Sequence, residues 1–328
     1  MSGFQVIAPA DIGGLSFGGD PYAPDLANAP SSRPQLTLAA LDGRRVRACF
    51  SLWWEGTPMV DGKPSLCLGH LYAETEDLGR QVLQHLDEVM RGRDLVQPVL
   101  APMDGATWFP YRLTLEAGEQ PPFFLERLTA PFWPGLFEAA GFALAARYHS
   151  SQTQRLIYQD RTADVWASRI EAGRLTLRPF DRTRSDGDLK ALYALSIESF
   201  AHNLFYTPMA EGDFLALYRP IVPVLVPELV LMAFDGDELV GFVFAVPDYA
   251  QGQRGEAVDT VIVKTGAVRR GRAYAGLGGY LGHLVHRRAA ERGFTRAIHA
   301  FYHEGNLSRA ISNKSGGIMR TYGLYGRG

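Results

Sequence analysis

The chain has 328 residues, 46% hydrophobic and 21% charged, with a formal net charge of −2. That length fits about two domains of ~100–200 residues each. The apolar content excludes disorder as the dominant state, which needs low hydrophobicity and high net charge. The near-neutral charge excludes a global drive toward nucleic acid or an anionic membrane surface.

Two cysteines, Cys49 and Cys67, are too few for a disulfide-stapled scaffold. Neither they nor His70, His85 and His149 show metal-ligand spacing, so no metal is expected. The start, MSGFQVIAPADIGG, lacks a basic region followed by an apolar run, so no signal peptide is read there. The most apolar stretch, residues 221–234, is broken by Pro223, Pro227 and Glu228, whereas a membrane span needs ~20 apolar residues in a row. The expectation is a cytoplasmic protein with reduced thiols.

Residues 1–34 are rich in Gly, Pro, Ala, Asp and Ser without periodicity and read as an N-terminal arm, loose or docked. Two β-rich runs over 35–54 flank Asp42-Gly43, a strong hairpin signal when both turn residues take positive φ. Residues 65–73 read as a third strand. Leu78, Val82, Leu86 and Val89 fall on one helical face over 77–91, and Gly92 ends it. A short buried strand follows over 95–101, then a helix over 132–140 closed by Gly141, then a strand over 142–150.

Residues 157–173, charged and loosely patterned, read as a linker. A second cycle starts with a strand over 175–179. A helix beginning near 185–188 has acidic residues at its positive end. A hairpin turns at Asp235-Gly236-Asp237, and a strand covers 258–268. An amphipathic helix over 276–292, closed by Gly293, precedes a strand over 297–302, a short helix over 306–314 and a last strand over 318–325. The two cycles share one order of elements, with Asp-Gly turns at equivalent places. A repeat this long points to duplicated domains rather than a solenoid, whose period is ~20–50 residues.

The informative segment is KTGAVRRGRAYAGLGGY, residues 264–280. A strand ends near Val268, Arg269, Arg270 and Arg272 follow, and Gly276, Gly278 and Gly279 open a helix. Amides at a helix N-terminus lack intrahelical partners and sit at the positive end of the dipole, so they bind anions. Glycines let a phosphate approach the backbone, so the segment suits a pyrophosphate. It is neither a Walker P-loop nor a dinucleotide fingerprint, since GxxxxGK[ST] and GxGxxG are both absent.

Strand, basic glycine-rich loop, helix, strand, Asn-led short helix and strand is an order that resembles the Gcn5-related N-acetyltransferases. In that family an apolar-x-Val strand end is followed, five residues after the Val, by Q/R-x-x-G-x-G/A. Here Ala267-Val268 is followed at that spacing by Ala273, Tyr274, Ala275, Gly276, Leu277 and Gly278. Ala273 replaces the family's Gln or Arg, and Arg272 stands one place off. The resemblance implies that these residues, with Arg270, Arg272 and Gly279, hold acetyl-CoA, and that Asn306 lies near the pantetheine arm. Asn306 also suits a helix N-cap.

The resemblance covers roughly 174–328 with motif support and 35–155 more weakly. It implies a mixed α/β (α+β) fold class, with two tandem domains each built on a mostly antiparallel central sheet flanked by helices. The expected boundaries are an arm over 1–34, a degenerate domain over 35–156, a linker over 157–173 and an acetyl-CoA-binding domain over 174–328. In the first copy the loop equivalent to the phosphate site is Glu74, Thr75, Glu76, Asp77, Leu78, Gly79 and Arg80. Its acids suit the helix dipole but repel a pyrophosphate. That copy is therefore expected to have lost acetyl-CoA binding and to serve as structure or as a wall of the substrate cleft.

The family's chemistry implies direct attack by a neutral amine on the thioester, helped by a general base, with an amide from a strand bulge near Ala267-Val268 on the oxyanion. The usual thiolate-protonating Tyr is absent from 306–317, where Ser312 or Asn313 stands instead. The candidate catalytic groups are Asp259, Tyr302, His303 and Glu304. Each also has a plain structural role, as strand start, packing residue, exposed strand end or turn. The expected partners are acetyl-CoA and an amine acceptor, without nucleic acid or membrane. Edge strands and tryptophan-rich stretches offer surfaces for a homo-oligomer. The alternatives are a non-catalytic acyl-CoA-binding module and an acyltransferase with another donor.

Overall fold

The computed structural model describes residues 3–26, 33–158, 161–305 and 316–328. The arm is docked through a short strand β1 (Gln5–Val6), which pairs with β2. β2 (Leu36–Asp42) and β3 (Arg45–Trp53) form the first hairpin. Its two turn residues are Gly43 and Arg44, one place later than expected, because Asp42 still pairs with Arg45. Only Gly43 takes positive φ, at 61°. The second hairpin does the same, with Asp235 opposite Glu238 and Gly236 at φ 60°. One glycine therefore makes each turn, and the aspartate belongs to the strand.

A small hairpin of β4 (Met59–Val60) and β5 (Lys63–Pro64) precedes β6 (Leu66–Ala73). Helix α1 (Glu76–Gly92) is capped by Thr75, whose hydroxyl accepts from the Leu78 amide. It buries Val82, Leu83 and Leu86 against β2, β3 and β6. Then come β7 (Val99–Ala101), β8 (Leu113–Glu116), α2 (Trp133–Ala139) and β9 (Ala143–Thr153). The expected linker carries a helix, α3 (Arg161–Glu171), whose Trp166 is buried in the core under the later helix α7.

The second half runs β10 (Thr176–Pro179), α4 (Ser185–Phe200), α5 (Glu211–Tyr218), β11 (Val230–Asp235) and β12 (Glu238–Pro247). It continues through α6 (Tyr249–Gln253), β13 (Thr260–Val268), α7 (Leu277–Glu291), β14 (Arg296–His303) and β15 (Gly317–Arg327). The short helix expected over 306–314, and Asn306 with it, lie outside the described residues.

The halves share one sheet, in the order β1-β2-β3-β6-β7-β15-β9-β14-β13-β12-β11-β10, with β8 added against β15. Each half exchanges its last strand. β9 pairs with β14 of the second half, and β15 lies between β7 and β9. Most pairs are antiparallel, but β6–β7 and β13–β14 are parallel. On one face of the second half α7 packs on Val243, Val261 and Ala297. On the other, α4 and α5 pack on Phe242, Phe244 and Ile262, together with Phe109 and Phe123 from the first half. The segment between β7 and α2 thus completes the core of the other half.

Candidate functional site

Parallel β13 and β14 stay together only from Thr260↔Arg296 to Val263↔His299 and then part. Each strand carries an extra residue at the parting. On β13, Val263 faces Ala245 and Thr265 faces Phe244, which leaves Lys264 unpaired. On β14, Ala300 and Tyr302 face Ser150 and His149, which leaves Phe301 unpaired. Such bulges bend strands and re-aim side chains. The expected bulge near Ala267-Val268 is therefore displaced, since those two residues pair regularly with Phe242 and Gly241.

The chain beyond β13 forms the glycine-rich turn that leads into α7. Gly271 has φ 141° and Gly276, the N-cap of α7, has φ 86°. Gly276 is left-handed and offers no side-chain cap, and the first turn contains no acid. A Cβ at Gly278 would only touch Val268, at 3.4 Å, and one at Gly279 would meet nothing. These two glycines are thus not required by protein packing, and they add no side chain over the first-turn amides. Ala267, Val268 and Leu277 form the buried or half-buried base of the turn. Ala273 and Ala275 are exposed, and the Ala275 carbonyl accepts from Trp166 Nε1 at 3.3 Å. Arg269 is tied to Glu238 and Glu198. Tyr274 donates to Asp235 at 2.8 Å. Arg270 and Arg272 have no carboxylate partner among the described residues.

The matching cleft of the first half is shut. β6 and β7 pair at Leu66↔Val99 and Cys67↔Leu100. Past them the Met103 amide donates to the Leu68 carbonyl, and the His70 amide donates to Asp104 Oδ1 at 2.6 Å. A Cβ at Gly69 would come within 2.4 Å of both the Met103 carbonyl oxygen and that Asp104 oxygen. Asp104 also binds Arg127 at 2.8 Å, His70 Nδ1 lies 3.0 Å from Ser51 Oγ, and Ser51 lies 2.8 Å from Thr37 Oγ1. Burial holds the His70 imidazole below its usual range, against the pull of Asp104. The space left beside Arg127 is ≈ 10 Å³, room for about one water. At the helix start Glu74 is held by Arg45 and Arg47, and Glu76 and Asp77 occupy the first turn.

The four candidate catalytic residues separate. Asp259 precedes β13 at the end away from the parting and is bound by Arg296 at 2.7 Å and by Gln251 and Thr295. Burial opposes its charge, but hydrogen bonds from Gln251, Arg296, Thr260 and Thr295 outweigh that and hold the carboxyl at about 2. Its carboxylate is therefore engaged by an ion pair and hydrogen bonds away from the parting. Tyr302 is buried, and its hydroxyl finds no partner among the described residues. His303 packs edge-on to Tyr148 at 5.3 Å, and its Nδ1 accepts from the Gly305 amide at 3.1 Å. Glu304 is exposed. His303, Glu304 and Gly305 border an open depression of ≈ 320 Å³ with residues 144–147.

Sequence reasoning missed the groups at the parting itself. Lys264 Nζ lies 4.2 Å from the Phe301 ring centre and 3.3 Å from the Leu125 carbonyl oxygen. The Arg112 guanidinium lies 4.1 Å from the same ring, 4.0 Å from Tyr111 and 4.9 Å from Tyr148. Burial and then repulsion by Arg112 push the Lys264 ammonium down to about 7, against the pull of Glu126. Glu126 itself is bound by Arg320 and Tyr322. The available signal was a lone charge inside the apolar strand VIVKTGAV.

No family model matches the sequence, and no curated protein matches it significantly. Solved structures do resemble it. A Gcn5-related N-acetyltransferase from Sphaerobacter thermophilus is 13% identical with a TM-score of 0.52, over 99% of this chain and 94% of that one. A tandem protein of the same fold from the clavulanic acid biosynthesis pathway is 12% identical with a TM-score of 0.52, over 99% and 97%. A probable N-acyltransferase from Enterococcus faecalis is 9% identical with a TM-score of 0.54, over 99% and 72%. The chain therefore has the Gcn5-related N-acetyltransferase fold, in tandem, as the element order implied.

Proposed function

We propose that the chain is an acyl-CoA-dependent acyltransferase that moves an acetyl group onto an amine, with the donor held by the second half alone. The observation that carries this reading is the contrast between two equivalent clefts. One opens between β13 and β14 beside an uncapped, glycine-led helix N-terminus, and the other is filled by Asp104 behind an acidic helix start.

In this reading the amides of Gly278 and Gly279, with Arg270 and Arg272, hold the pyrophosphate, and Ala273 contributes backbone only. The pantetheine lies along the parted edge of β13. A neutral amine attacks the thioester carbon, the C–S bond breaks, and the thiolate leaves with a proton taken up at the cleft. His303, at the end of β14, is the candidate that remains for moving the amine's proton, since imidazole suits acid–base work. The boundaries near 35–156 and 174–328 are kept as the two functional halves.

The test is thiol release from acetyl-CoA over a panel of amines, with CoA affinity measured alongside. Release that depends on the amine supports the transferase. The Ala273 replacement favours one second reading, a non-catalytic acyl-CoA-binding module. Tight CoA binding without release would select it.

A further inference from the structure

At the parting of β13 and β14 two basic side chains lie against one aromatic ring. Arg112 and Lys264 both lie against Phe301, at 4.1 and 4.2 Å from its centre. Among the described residues neither forms an ion pair with a carboxylate. Glu126, the acid whose field reaches Lys264, is engaged by Arg320, Tyr322 and the Phe123 amide. Like charges gathered at a half-buried site repel, and an anion within reach of both offsets that repulsion.

Their position says where the anion would come from. Phe301 packs with Phe123 and the α4 side of the sheet, whereas α7 covers the opposite face. Lys264 and Phe301 are the unpaired residues at the parting, where the thioester would lie in the proposed reaction. Arg112 comes from the first half, on the segment leading into β8. A planar guanidinium lined by Tyr111, Tyr148 and Phe301 presents a fork suited to a carboxylate.

We propose that Arg112 and Lys264 form a carboxylate subsite shared by the two halves, and that the acceptor is a small amine bearing a carboxylate, such as an amino acid or the end of a short peptide. This rests on the transferase reading for the amine, but the subsite itself can be tested without turnover. The first half then has a function of its own, because it supplies one of the two cations that choose the acceptor.

The experiment compares N-acetylglycine with N-acetylglycinamide, which differ in carrying a carboxylate or a neutral amide, by titration into the full chain with and without CoA. The carboxylate is expected to bind about 10–100-fold more tightly, the range of a charge-assisted pair. Arg112→Gln should remove most of that preference while leaving CoA affinity unchanged, and Lys264→Met should remove most of it as well. Equal binding of the two probes, or a preference intact in both variants, overturns the subsite. Carboxylate preference lost in the variants of a chain that binds no CoA would keep the subsite and sink the transferase reading instead.

Discussion

The two halves start from the same plan and differ in what fills the gap between two parting parallel strands. In the first half the gap is closed by the chain itself, through the Asp104 carboxylate on the His70 amide and the Met103 amide on Leu68. In the second half the strands part after Val263↔His299, and Lys264 and Phe301, left unpaired there, lie against each other. The helix starts differ in the same sense, with acids and a threonine cap on α1 and bare glycines on α7. A repeated fold can thus keep its architecture while one copy fills the gap between its parallel strands with a buried polar bond network.

The largest effect is expected where that network is cut. Asp104→Ala leaves Arg127 and the His70 amide without their buried partner, and should cost about 3–5 kcal/mol in urea unfolding. A neutral result would mean that Asp104 is not what closes the first cleft. Next, Gly279→Glu adds a carboxylate to the proposed phosphate site. The helix is expected to form, since a Cβ there meets nothing, while CoA affinity drops about 100-fold through like-charge contact. Retained affinity would move the donor site elsewhere.

The glycines provide a finer contrast. Gly79 in α1 is packed, because a Cβ would lie 2.6 Å from Leu136 Cδ1. Gly79→Ala should therefore cost about 1–3 kcal/mol by overpacking. Gly279→Ala should be neutral or slightly stabilising, by up to about 1 kcal/mol. Equal costs at both sites would erase the distinction between a packing glycine and a binding one.

Acid separates the halves too. His286 and His299 face each other in the second half with Nε2 atoms 2.8 Å apart. Burial, with repulsion from neighbouring histidines in the case of His286, pushes them down to about 3 and about 4. The unfolded chain protonates them near ~6.5, so between there and pH 4 it binds more protons than the folded one. Stability is therefore full above about 6.5 and falls with pH below it, by about 1.4 kcal/mol per unit for each histidine. Hydrogen exchange should show α7 and β14 opening before β6 and α1, where Asp104 partly offsets the burial of His70. The smallest effect belongs to Asp259→Asn, which should leave the transfer rate unchanged. A collapse of kcat with the fold intact would return Asp259 to the reaction.

Much of this was legible in the residues. Periodicity located α1 and α7 to within a residue or two, and the Asp-Gly turns marked equivalent hairpins. The glycine-led basic loop and its acidic counterpart pointed to the half that differs. The strand exchange was not legible, because β9 and β15 carry apolar patterns that fit either neighbour, and partner choice is a long-range matter. Nor were the bulges. An extra residue leaves no mark in a short strand beyond an out-of-place charge, as with Lys264. Asp104 read as a turn residue because only the folded chain brings its carboxylate to the His70 amide, 34 positions away.

The exchange of end strands governs how this protein is made. β15 leaves the ribosome after every other strand described above, yet it is the strand that sits beside β7. Its Arg327 reaches Asp87 on α1, 240 positions earlier in the chain. The first half therefore waits through synthesis of the second with the edge of β7 uncovered, an aggregation-prone condition that high contact order prolongs. Loss of β15 alone would leave two incomplete sheets rather than one shortened domain.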